Sequence, residues 1–120
     1  MAKQLNSLRD PKHKPTHPGE ILREDVLPAL RMTQTELAQR LGVSRLTVSE
    51  ILHEKRPVSP DMAIRIGRLL GNGAAIWLRL QQALDVWQLE RVSDYKHIKP
   101  LDKKAAYWVS HRPREYRRPA

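Results

Sequence analysis

Between Arg45 and Glu50 the stretch RLTVSE brings together a guanidinium, a branched apolar group, two hydroxyls and a carboxylate. Wound as a helix, it turns Leu46, Ser49, Glu50 and His53 to one side, with Arg45 flanking them at the first turn, while Val48, Ile51 and Leu52 gather on the other. The first face is a poor core and a poor salt-bridged surface. Its chemistry suits the rims of nucleobases. Arginine forks onto guanine O6 and N7, glutamate accepts from cytosine N4, leucine packs on a thymine methyl, and serine or threonine bonds a base edge or a phosphate. Arg45, Glu50, Leu46, and the pair Thr47 and Ser49 are the candidates for those roles in turn.

Such a face works only if its helix is held proud of the fold, and the preceding residues supply the means. Thr33 with Glu36 three residues on is a capping box, which starts a helix carrying Leu37, Ala38 and Leu41 on one side. Gly42 suits the left-handed residue that ends it, and Ser44 caps the next helix after a break of three residues. Gln34, Ala38, Gly42 and Val48 match a helix-turn-helix: a small residue where the helices cross, a turn, and an inward anchor. Thr33 and Gln34 at the first helix start, and Lys55 and Arg56 in the loop after the second, are candidates for phosphate, and Ser44 at the start of the second helix is a further candidate for DNA contact. His53 fits the helix end, where its charge favours the dipole. One short helix reads few base pairs, so a dimer on a palindromic duplex is expected, its half-sites about 34 Å apart.

The rest of the chain reads as support. A helix is expected from Pro18, ending or kinking near Leu27 because Pro28 lacks an N–H. Ser59-Pro60-Asp61 opens a fourth helix, which stops at Gly71. A fifth runs from about Gly73 to Val92, with Ile76, Trp77, Leu80, Ala83, Leu84 and Trp87 as its core stripe and Leu78 and Leu89 off it. The expected organisation is a basic N-terminal arm at 1–17, an all-α five-helix domain at 18–92, and a basic tail at 93–120 without regular pattern.

Composition agrees with a polyanionic partner. The formal charge is +9, yet residues 18–92 hold ten basic against nine acidic residues, so the excess lies in the arms. Flexible basic arms add sequence-blind, salt-dependent affinity. Tyr107, Trp108 and Val109 in the tail are an alternative docking element for a protein partner. There is no cysteine, no apolar run suited to a membrane span and no signal-peptide pattern, so a cytoplasmic, nucleoid-associated protein is expected. His13 and His17 have a metal-ligand spacing, but Pro15 and Pro18 interrupt any helix there. No metal, no cofactor and no enzymatic activity are expected.

Thr33 to Val58 resembles the Cro/C1-type (Xre, lambda repressor-like) helix-turn-helix family. The longer runs HPGEILREDVLPAL, LGVSRLTVSEILHEKRPVSPDMAIRIGRLLG and IWLRLQQALDVWQLE resemble the HigA antitoxin family in particular. That resemblance implies a homodimeric repressor of its own operon that also binds and neutralises a HigB-type, mRNA-cleaving toxin. A stand-alone Xre-type regulator without a toxin is the alternative. The resemblance covers about residues 17–91 and transfers no toxin-contacting residue to this chain.

Overall fold

The computed structural model describes residues 13–111 of the chain; the outer parts of both basic arms, residues 1–12 and 112–120, lie outside it. The described residues form helices and connecting turns. These are α1 (Pro18–Ile21), a π-helical turn (Leu22–Val26), α2 (Leu27–Leu30), α3 (Gln34–Leu41), α4 (Arg45–Leu52), α5 (Pro60–Leu70), α6 (Ala74–Val92) and α7 (Lys103–His111).

Of the two outcomes expected near Leu27, an end or a kink, the helix does not end there. It passes through Pro28 to Leu30. In a regular α-helix the Pro28 ring would meet the carbonyl four residues back and leave it without a donor. Here the ladder first widens by one residue, so that the Leu27 N–H reaches the Leu22 carbonyl. The extra residue relieves the clash. The helix then closes on Arg31 in the left-handed conformation (φ 52°), with Arg31 N–H donating to Pro28 O and Met32 N–H to Leu27 O.

The other ends follow the local chemistry. Thr33 Oγ1 accepts from Glu36 N–H, Ser44 Oγ from Thr47 N–H and Ser59 Oγ from Met62 N–H, so α3, α4 and α5 each start on a hydroxyl cap. Gly42 (φ 71°) terminates α3, with Val43 N–H returning to Ala38 O. The core holds Leu22, Leu37, Ala38, Leu41, Val48, Ile51, Leu52, Val58, Met62, Ala63, Ile66, Trp77 and Leu80. Helix α5 packs against α6 and α3, while α1 lies across α4 and α6.

On α6 the buried arc is narrower than the expected stripe. It centres on Trp77, Gln81 and Leu84, so Ile76 falls at its rim, 45% exposed, and Leu78 is half-buried against the core. Gln81 is a polar core residue that no apolar pattern reveals. Its Oε1 accepts from Val58 N–H at 2.9 Å and its Nε2 donates to Asp85 at 2.8 Å, pinning the loop before α5 to α6. The tail, expected to lack regular structure, carries α7, on which Tyr107 and His111 stack at 4.0 Å.

The packed structure extends N-terminally of Pro18. Pro15 and His17 are buried, and His17 Nδ1 accepts from Gly19 N–H at 2.8 Å, capping α1. Burial pushes the His17 pKa below the ordinary 6.5, with the charges of Glu54 and Asp85 opposing and Lys14 assisting. An accepting Nδ1 likewise requires the neutral ring. Because the folded pKa lies below the unfolded one, this contribution to stability is whole above about pH 6.5 and is lost as pH falls through the folded value. Urea midpoints measured between about pH 7 and pH 5 should therefore decline for the wild type. The decline should be shallower for His17→Asn, which keeps a capping oxygen without the titration; parallel declines would refute the role.

Candidate nucleic-acid interface

The three-residue break is built as the sequence implies. Gly42 turns, Ser44 caps, and α4 starts at Arg45 with Val48, Ile51 and Leu52 buried against α1 and α3. The opposite face is open. Leu46 is 67% exposed, Arg45 and His53 are exposed, and Thr47, Ser49 and Glu50 are half-buried. At the start of α3, Thr33 is exposed and Gln34 half-buried; after α4, Lys55 and Arg56 are exposed.

The polar groups of this face are coupled. Ser44 Oγ and Thr47 Oγ1 share a hydrogen bond of 2.9 Å. Arg56 folds back from the loop, so that Nη2 donates to Glu50 Oε1 at 2.7 Å and Nη1 to Thr47 Oγ1 at 3.3 Å. His53 Nδ1–H donates to Ser49 O at 2.8 Å, which places the ring on a carbonyl at the helix end as expected.

Sequence reading missed how the unit is held from behind. Two arginines from other helices each take a carbonyl at the end of one of its helices. Arg65 of α5 donates from Nη1 to Leu41 O at 2.8 Å, while its Nε is steadied by Asp61 at 2.8 Å. Arg23 of the π-helical turn donates from Nη1 to Leu52 O and pairs with Glu54. Each cation thus satisfies a carbonyl that has no partner within its own helix and meets the negative end of the dipole. Helix α4 ends on Glu54 in the left-handed conformation (φ 62°), with Lys55 N–H donating to Glu50 O. The separations in sequence, 29 residues for Arg23 and 24 for Arg65, offer no local signal.

Behind α4, α1 crosses with no room for a side chain between the two backbones. A Cβ added to Gly19 would overlap the Ile51 carbonyl oxygen and lie 2.7 Å from its carbon. In HPGE, then, histidine caps, proline starts the helix, and glycine lets its backbone touch that of α4.

A short capped helix, set after a tight turn and open along its outer face, defines a helix-turn-helix protein of the nucleic-acid-binding kind. The helix-turn-helix family profile matches residues 22–77. Antitoxin HigA-1 of Vibrio cholerae is 33% identical over 96 residues, covering 78% of this chain and 90% of that one. A Pseudomonas aeruginosa protein solved in complex with its operator DNA superposes with a TM-score of 0.68 at 38% identity, over 72% of this chain and 97% of that one. The antitoxin HigA of Pseudomonas aeruginosa with the higBA promoter gives 0.65 at 37% identity, over 72% and 98%. The chain belongs to the HigA family of Xre-type helix-turn-helix proteins. None of the helices among the described residues is long and apolar enough to cross a membrane.

Proposed function

We propose that this chain is the antitoxin of a type II toxin–antitoxin module. As a homodimer it represses its own operon by binding a palindromic operator, and it neutralises a HigB-type mRNA-cleaving toxin by direct binding in the cytoplasm. The observation that carries the DNA reading is the open outer face of α4, with Leu46 two-thirds exposed beside Arg45. The similarity to a HigA bound to the higBA promoter and to HigA-1 supports it.

In this reading the N-terminal end of α4 enters the major groove. Arg45 takes guanine O6 and N7, Leu46 packs on a thymine methyl, and Ser49 or Thr47 bonds a base edge or phosphate. Ser44 keeps the helix start formed, while Thr33, Gln34 and Lys55 take backbone phosphates. Replacing Arg45 by alanine should cost about 1–3 kcal/mol on the operator and relax preference at one base pair. Titrations on operator and on random duplex check this, since equal losses on both would remove Arg45 from readout. Co-expression with the product of the neighbouring gene, followed by purification and footprinting of the upstream palindrome, tests the whole reading. A chain that neither retains that product nor protects the palindrome is not such an antitoxin.

A further inference from the structure

Resting on the reading of α4 as the recognition helix, we propose that Arg56 is a second base-reading side chain, aimed at guanine, and that Glu50 and Thr47 are the residues that position it. Sequence alone assigns Glu50 to cytosine and Arg56 to the phosphate backbone; their contacts argue for an exchange of roles. The Glu50 carboxylate is engaged by the Arg56 guanidinium at 2.7 Å, so it is an acceptor already in use. The guanidinium lies over the outer face of α4, held by Glu50 on one nitrogen and Thr47 on the other. These contacts draw on two of the five N–H groups of an arginine, which leaves it capable of a further bidentate contact.

Both ends of this side chain are fixed. At its head, Thr47 is itself bonded to the Ser44 cap. At its root, the Lys55 N–H closes on Glu50 O, one residue before Arg56. An arginine meant only for phosphate gains nothing from a carboxylate at its side, because the acid weakens the attraction to a polyanion. Orientation is what the acid supplies, and orientation matters for a fork that must meet O6 and N7 of one guanine. The acid on a DNA-facing surface then has a use.

The two effects of removing Glu50 have opposite signs, which makes the test direct. A duplex is first selected by the wild-type chain from a randomised library, and affinities for it and for a scrambled duplex are then measured at one salt concentration. Glu50→Gln, Arg56→Ala, Arg56→Lys and the Glu50→Gln/Arg56→Ala double variant are compared, with thermal melts to confirm that each remains folded. Glu50→Gln should bind the selected duplex about tenfold more weakly although it removes a negative charge, and the scrambled duplex no more weakly than wild type. Arg56→Ala should lose a similar factor, Arg56→Lys should not recover it, and the double variant should be no worse than Arg56→Ala alone. Reselection with Arg56→Ala should show one guanine preference gone. Tighter or unchanged binding by Glu50→Gln, or equal losses by Arg56→Ala on both duplexes, overturns the assignment and leaves Arg56 a phosphate contact. If the wild type enriches no sequence at all, the recognition-helix reading itself fails, which is a distinct result.

Discussion

Alanine at position 19 should cost the chain a large part of its stability. The added methyl would occupy the space of the Ile51 carbonyl oxygen, and neither partner is a side chain that can swing aside. Both belong to helix backbones whose separation is set on one side by the His17 cap and on the other by the burial of Ile51 and Leu52. Relief therefore means moving α1 off α4, which would uncover the packing around Leu22 and break the Arg23 contact to Leu52 O. A loss of about 4 kcal/mol or more is expected, the scale of severe overpacking and broken networks. For a domain of this size that is a fall of roughly 15–30 °C in melting temperature, against a total stability of about 5–15 kcal/mol. Gly71→Ala is the control. Its φ of 79° favours glycine, but its added Cβ has no neighbour within 4 Å, so it should lose only about 1 kcal/mol. Far-ultraviolet denaturation curves for the two variants decide the matter. Equal, small losses would mean that the α1–α4 crossing is loose.

The contrast between those glycines shows what could be read from the chain and what could not. The helix-turn-helix was legible because its signals are local: Thr33, Ser44 and Ser59 each cap an N–H three residues away, and Gly42 closes the helix it ends. The outer face of α4 follows from helical period alone, once Val48 is set inward. By contrast, Gly19 is tight because of the carbonyl of Ile51, far along the chain in another helix. Arg23 and Arg65 look like ordinary surface charges until the fold delivers them to Leu52 and Leu41. Pro28 leaves both an end and a kink open in the sequence, for a related reason. A proline rule assumes a uniform ladder, whereas the chain changes the ladder one turn earlier. His17, assigned to the arm by composition, is buried because its ring folds over the helix start and takes the Gly19 N–H.

Replacing Leu52 by alanine should separate stability from recognition, because it removes the hold on α4 without touching the outer face. Leu52 is 0% exposed and closes the helix, and its carbonyl receives Arg23. Truncating a fully buried leucine removes its transfer energy and leaves a cavity, and the expected loss is about 2–5 kcal/mol. The outer-face groups Arg45, Leu46 and Ser49, proposed to meet bases, are unchanged. Whatever fraction remains folded should therefore bind the operator with the wild-type constant, and the apparent affinity should fall only by the unfolded fraction. DNA in excess should then raise the melting temperature of the variant by mass action, as it does for any ligand of the native state alone. Arg45→Ala should show the converse, with melting unchanged and affinity reduced at every folded fraction. The check is to measure the unfolded fraction by denaturation and the affinity by titration at the same temperatures. If Leu52→Ala loses more affinity than its unfolded fraction accounts for, then the leucine also sets the tilt of α4. The arginine on its carbonyl would be the next residue to replace.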